Sequence, residues 1–240
     1  MTGEDGIHLC DLRVERGGRA ILSGISLDLT EARIAVVGRN GSGKSTLARA
    51  IKGLIRPDGG TVRLYGRDPA KRDFGSLSVA GFLFQNSDHQ ILCPTVLEEI
   101  AFGLNENGVA AKEAEETALA LMERHGVATW RDRAVATLSE GQRRLVCLLA
   151  VLVMQPRVVL LDEPYTGLDI PTRVSLEEFI AELPQQVVMI SHDANAIAAY
   201  DRVLWIDEGR LRADGPPGRI LPAFLEAMHG AGKERRAWSA

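Results

Sequence analysis

The sequence predicts an α/β fold, in which a mostly parallel sheet carries helices on both faces. Short apolar runs recur along the chain, as at 34–37 (IAVV), 157–161 (RVVLL) and 186–191 (QVVMIS). Runs of that kind are strands buried on both faces. Segments with helical apolar spacing separate them, and such alternation is the pattern of a parallel sheet flanked by helices. A glycine-rich loop joins the first of these strands to a helix.

Taken in order, residues 7–14 and 20–28 alternate apolar and polar and read as two strands, with Gly17-Gly18 as the turn between them. After the glycine-rich loop, Leu47, Ile51, Leu54 and Ile55 recur at helical spacing from Lys44 onward, and Pro57-Asp58-Gly59-Gly60 ends that helix. Residues 61–65 (TVRLY) alternate again as a strand. An apolar stub then ends at Gln85, followed by a polar stretch, a proline and a segment with helical spacing up to 103. Residues 110–125 and 140–154 read as helices, the second with Leu145, Leu148, Leu149 and Leu152 on one face. Beyond strand 157–161, Pro171 suits the first turn of a helix carrying Leu176, Phe179, Ile180 and Leu183. Strands 186–191 and 202–206 follow, Glu208-Gly209 is a turn, and a last helix near 219–228 leads into a polar tail. The strand-poor stretch from about 104 to 156 interrupts the alternation and reads as a helical insert.

Composition bounds the function classes. With 240 residues, 25% charged and 45% hydrophobic, the chain has ordinary globular composition. A net charge of -4 argues against a nucleic-acid partner, which needs a basic face. Cys10, Cys93 and Cys147 are scattered, so reduced thiols are expected, each as a small buried apolar residue. The start lacks a basic and an apolar targeting region, so no signal peptide is expected. The longest apolar run, 145–154, is shorter than the roughly 20 residues of a membrane span. A soluble protein, or one peripheral through a partner, is expected.

Four places carry chemistry. GRNGSGKS at 38–45 fits G-x-x-x-x-G-K-[ST] at every fixed position, after a strand and opening a helix. Gly38, Arg39, Asn40, Gly41, Ser42, Gly43, Lys44, Ser45 and Thr46 form this nucleotide-binding loop. Its glycines let backbone N–H groups converge on phosphate, and the helix N-terminus adds its positive end. Lys44 can reach the β- and γ-phosphates, and Ser45 can ligate Mg²⁺. In RVVLLDEP, Asp162 and Glu163 stand at a strand end, where ligands of open α/β sheets gather. Asp162 can hold Mg²⁺ through its water shell, and Glu163 can orient or deprotonate an attacking water. His192, at another strand end, can donate to the γ-phosphate. His8, His89, His125 and His229 lack metal-ligand spacing and read as surface or packing residues. LSEGQ at 138–142 precedes a helix: Ser139 can cap it, and a helix start with Ser and Gly is also a second anion site.

The order GRNGSGKST (38–46), Gln85, LSEGQ (138–142), LLDEP (160–164), GLD (167–169) and ISHD (190–193) resembles the ATP-binding cassette (ABC) ATPases over nearly the whole length. The resemblance implies a P-loop NTPase with a RecA-like core, an N-terminal antiparallel β subdomain and a helical insert. It implies one ABC ATPase domain over 1–240: a nucleotide-binding core (1–84 and 157–215), the glutamine loop and helical subdomain (85–156), and a short C-terminal helix and tail (216–240). It implies a Mg²⁺-dependent, ATP-hydrolysing head-to-tail dimer, homo- or heteromeric, with two ATPs between the loop of one subunit and the LSEGQ of the other. Ser139, Gly141 and Gln142 would then stabilise the γ-phosphate in trans, and Asp169 would cross the interface. Glu163 would be the base, His192 the γ-phosphate contact and Gln85 a contact to Mg²⁺ or the lytic water. Two places depart from the family. No aromatic stands near Arg16 to stack on adenine, so Arg16 either stacks there itself or is a solvated turn residue. Glu31-Ala32-Arg33 replaces the usual Gly-Glu.

FQNSDHQILCPTVLEEIAFGL resembles the energy-coupling factor (ECF) importers of vitamins and metal ions. That resemblance implies a peripheral position on the cytoplasmic membrane face. A transmembrane coupling subunit would dock after the glutamine loop, and a membrane subunit would bind the substrate, which never touches this chain. The short segment after the last hairpin, VVGRNGSGKST and QQVVMISHD are similar to the ATPases of dedicated biotin importers. A cobalt or nickel importer ATPase, or a soluble non-transport ABC ATPase, is the alternative.

Overall fold

The structure, a computed structural model, describes residues 5–71 and 74–234. In chain order come β1 (Ile7–Arg16), β2 (Arg19–Leu29), β3 (Arg33–Val37), α1 (Lys44–Lys52), β4 (Gly59–Leu64), α2 (Phe74–Val79) and β5 (Ala80–Leu83). Next are α3 (Val96–Glu106), α4 (Ala111–Arg124), α5 (Glu140–Leu152), β6 (Val158–Asp162) and α6 (Ile170–Ala181). The series ends with β7 (Gln186–Ile190), β8 (Arg202–Asp207), β9 (Arg210–Gly215) and α7 (Pro217–Glu234). The chain divides into two compact units, residues 1–72 with 186–240, and residues 73–185.

The first unit holds two sheets. In the antiparallel one, β1 lies between β2 and β4. Gly17 and Gly18, both at positive φ, close a two-residue turn in which Arg16 pairs with Arg19. Positive φ at both central residues matches the twist of a tight hairpin. One face of β1 (Ile7, Leu9, Leu12, Val14) is buried. In the other sheet β3 lies parallel between β7 and β8, with Ile34 opposite Val188 and Arg202, and β9 closes it as an antiparallel hairpin partner of β8. Residues 34–37 are all at most 2% exposed, as a strand with neighbours on both sides requires. Gln186 joins the sheets: its Nε2 donates to the Leu29 and Glu31 carbonyls at 3.1 and 2.9 Å, and its Oε1 accepts from the Tyr65 hydroxyl at 3.2 Å.

In the second unit β5 and β6 pair in parallel. Val96, Ile100, Ala101, Ala114, Ala118, Met122, Val146 and Leu149 make one apolar core between α3, α4 and α5. Thr95 and Ser139 each start a helix with a reciprocal capping box, Thr95 with Glu98 and Ser139 with Gln142.

Three expectations need correction. Cys10 is exposed and Cys93 half-buried; only Cys147 is buried, and burial pushes its thiol up to about 12. Cys10 falls on the outward face of β1, where alternation exposes every second side chain. The last helix is also longer than 219–228. Pro217 suits its first turn, and it continues past Pro222 because Ile220, Leu221 and Phe224 are buried. The polar tail from 235 lies outside the described residues.

Candidate functional site

The predicted site residues fall in both units. Arg16, residues 38–46 and His192 belong to the first; Gln85, Ser139, Gly141, Gln142, Asp162, Glu163 and Asp169 belong to the second.

In the first unit the loop 38–43 leaves the buried end of β3 and turns into α1. Gly38 sits at φ 153, and a Cβ there would lie 2.1 Å from the Ile206 carbonyl oxygen and 2.7 Å from Ser42 Oγ. Only glycine fits. Gly43, at φ 104, is the N-cap of α1 and provides no side-chain cap. The first-turn N–H groups of that helix thus meet no side-chain oxygen from the cap position, which suits an anion. Lys44 is 6% exposed, and its ammonium donates to the carbonyls of Gly38 at 2.9 Å and Arg39 at 3.0 Å. A buried cation at the start of a helix attracts phosphate, and its two carbonyl bonds can be exchanged for phosphate oxygens. Ser42 Oγ is buried without a hydrogen-bond partner, a polar atom that a ligand oxygen would satisfy. Arg39, Asn40 and Gly41 are exposed at the loop tip, as is Arg16 at the end of β1. His192 is exposed just past β7, in a loop ordered by Ser191 Oγ accepting from the Asp193 N–H at 3.1 Å and the Asp193 carboxylate accepting from the Asn195 N–H at 2.8 Å.

In the second unit, β6 ends at the buried Asp162, and Glu163 follows at φ 52. Left-handed backbone costs a non-glycine residue roughly 1–2 kcal/mol, and such cost gathers at functional sites. The turn redirects Glu163 out of the strand, and the Thr166 hydroxyl donates to its carboxylate at 3.2 Å. Ser45 and Asp162 are hard oxygen donors, the type that suits Mg²⁺.

At the start of α5, Ser139 Oγ accepts the Gln142 N–H at 3.3 Å, and Gln142 Oε1 accepts the Ser139 N–H at 3.1 Å. A hydroxyl has one donor and two acceptor positions, so accepting leaves the Ser139 O–H able to donate outward. Gly141 has a packing reason: a Cβ there would lie 2.0 Å from Thr172 Cγ2. Asp169 caps α6, accepting from the Thr172 N–H at 3.1 Å, and its bonds to Thr172 hold its carboxyl below the usual range.

Gln85 is exposed, two residues past β5. The segment around it is held by Gln90, which belongs to the polar stretch quoted from the sequence, and by Glu99 and Arg144, to which the sequence motifs gave no role. Gln90 Oε1 accepts the Phe84 N–H and its Nε2 donates to the Cys147 carbonyl, both at 3.1 Å. Glu99, 4% exposed, accepts the N–H groups of Leu92 and Cys93, both at 2.8 Å. Arg144, 2% exposed, donates to the Phe84 and Gln85 carbonyls at 3.0 and 2.6 Å. It also pairs with Glu140 at 3.1 Å. Burial raises the Glu140 carboxyl, and hydrogen bonds from Arg143 and Ser87 with the charge of Arg144 outweigh it, for a net lowering. The i, i+3 and i, i+4 spacing of Glu140 with Arg143 and Arg144 was the available sequence signal.

The family model described as "ABC transporter" matches residues 22–166, more than half of the chain. The chain belongs to the ABC transporter family. It is 46% identical over 222 residues to the "Biotin transport ATP-binding protein BioM" of Rhodobacter capsulatus, covering 92% of this chain and 95% of that one. To the protein of the same description from Rhizobium etli it is 39% identical, covering 89% and 95%. Among solved structures it is similar to cbiO1 of Clostridium perfringens, described as part of the ABC transporter complex cbiONQ. The TM-score is 0.79 at 25% identity, over 97% of this chain and 96% of that one. The fold is the ABC ATPase fold, and the chain is an ATP-hydrolysing ABC transporter ATPase.

The packing of Gly141 yields a test. Gly141→Ala in this ABC ATPase should lower stability by ~1–3 kcal/mol through overpacking, and adding Thr172→Ser, which removes Cγ2, should restore most of it. Urea unfolding of the two variants reads both effects.

Proposed function

We propose that this chain is the ATPase subunit of an energy-coupling factor importer and that its cargo is biotin. The observation that carries the reading is its likeness, over 92% and 89% of the chain, to two biotin transport ATP-binding proteins, together with six motifs in family order. No helix among the described residues is long and apolar enough to cross a membrane. By its likeness to biotin transport ATP-binding proteins, the chain would work at the cytoplasmic face, held by a transmembrane coupling subunit beside a substrate-binding membrane subunit. Two ATPase subunits, identical or related, close head-to-tail over two ATPs. A single chain then supplies two unlike half-sites.

In the first half-site, the 38–46 loop cradles the phosphates, with Lys44 moving from loop carbonyls to the β- and γ-phosphates, and Arg16 lies against adenine. Ser45 and Asp162 would hold Mg²⁺, aided by Gln85. When bound there, the ion would supply positive charge to offset that of the phosphates. Glu163 orients and deprotonates the attacking water, and His192 donates to the γ-phosphate. In the second half-site, Ser139, Gly141 and Gln142 at the start of α5 meet the partner's γ-phosphate with helix N–H groups and the Ser139 hydroxyl, and Asp169 reaches across the interface.

Glu163→Gln keeps size and loses the base. It should leave ATP binding intact, slow hydrolysis by ~10²–10⁴-fold and trap an ATP-bound dimer visible by size-exclusion chromatography. Wild-type hydrolysis removes Glu163 from its role.

In this reading 86–99 carries the coupling, and its Leu92, 69% exposed, would offer an apolar contact to the membrane subunit. In cells dependent on this chain, labelled biotin uptake should be present in the wild type and fall with Leu92→Glu while ATP binding survives. Uptake of cobalt or nickel in place of biotin moves the cargo to a metal ion, and full activity in membrane-free extract with no uptake contradicts the importer reading.

A further inference from the structure

We propose that Arg144 is a positioning residue for ATP turnover, a buried guanidinium that holds the Gln85 loop, the first turn of α5 and the loop after Glu163 in one register. The proposal rests on the roles given above to Gln85, Glu163 and Ser139, and adds what sets their mutual placement.

The four oxygens around Arg144 come from three segments. Nη1 donates to the carbonyls of Phe84 and Gln85, just past β5. Nη2 donates to Glu140 in the first turn of α5 and lies 3.5 Å from the Thr166 carbonyl, beyond β6. Glu140 extends the contact: Oε1 also accepts from the buried Ser87 hydroxyl at 3.0 Å, and Oε2 accepts from Arg143 at 2.8 Å. Thr166 in turn donates to the Glu163 carboxylate. The main chain of Gln85 is thus one hydrogen bond from the guanidinium, and the Glu163 side chain is reached through Thr166. Ser139, the helix cap, adjoins Glu140.

The chemistry needs arginine. Its planar fork offers five N–H donors in fixed directions, whereas a lysine ammonium is a point charge on a flexible stem and cannot span these segments. Phe84 and Gln85 lie past the β5 ladder, so their carbonyls need other donors. A shift of one segment alone would leave a buried charge or carbonyl unpaired. The three segments therefore move together, and a push on 86–99 reaches the start of α5 and the Glu163 turn.

The test uses the full-length chain with Arg144→Lys, Glu140→Gln and Ser87→Ala, beside Gln85→Ala, and measures ATP binding, kcat and thermal unfolding. The nucleotide loop makes none of these bonds, so Arg144→Lys should keep ATP affinity within about twofold while kcat falls at least ~10-fold, because small misplacements of reacting groups are costly. Glu140→Gln and Ser87→Ala should move kcat the same way by less, and Arg144→Lys with Glu140→Gln should lose less than the product of the two single effects. A merely structural role would lower the unfolding temperature and leave kcat per folded molecule unchanged, which overturns the proposal. If Arg144→Lys fails to fold, Glu140→Gln and Ser87→Ala carry the same readout. Slow Gln85→Ala with wild-type kcat in all three clasp variants overturns the clasp alone. Wild-type turnover in Gln85→Ala overturns the Gln85 role and the clasp with it.

Discussion

Arg144 brings a full positive charge into the interior of the 73–185 unit, where an unpaired guanidinium would cost several kcal/mol. The chain meets this demand with a carboxylate one helical turn earlier and with carbonyls from backbone that has just left a strand. The same arrangement solves the opposite problem for that backbone. Past Leu83 the β5 ladder ends, and Phe84 and Gln85 must find partners from side chains. Arg144 supplies the donors and Gln90 the acceptor. A segment that looks like a polar surface loop is thereby fixed to a helix almost sixty residues later in sequence. Its outward side, with Gln85 and Leu92 exposed, stays available.

Much of the fold was legible because local rules agree with it. The apolar runs at 34–37 and 186–190 become strands of the parallel sheet, and Gly17-Gly18 becomes the hairpin turn. Ser139 and Gln142 stand at capping-box spacing, and the structure shows both bonds. The residues of the nucleotide loop were legible for a stronger reason, since Gly38 meets a carbonyl oxygen that excludes any Cβ.

What stayed hidden depends on partners distant in sequence. Glu99 could be read as a solvated helix residue, and it is buried because the N–H groups of Leu92 and Cys93 turn back onto it. Arg144 sits within an apolar helix face and reads as an interruption until the Phe84 and Gln85 carbonyls appear beside it. Gly141 reads as part of an anion-binding turn, and its contact with Thr172 adds a packing constraint that no spacing reveals. Cys10 and Cys93 failed the expectation of burial because it came from residue type and not from the face each occupies.

In the proposed reading, the nucleotide chemistry follows from two helix starts of different construction. That of α1 has a glycine at its cap and a buried lysine beside it; that of α5 has a serine cap with its own hydrogen-bonded glutamine. The central claim is that each ATP lies between the first of one subunit and the second of another. Mixing Lys44→Ala with Ser139→Phe, each inactive alone, tests this most directly. Statistical pairing in a two-fold dimer should return about a quarter of the wild-type sites, and ATP hydrolysis should reappear on mixing. Hydrolysis that stays absent in verified mixed dimers, or full activity of Ser139→Phe by itself, would contradict the composite site.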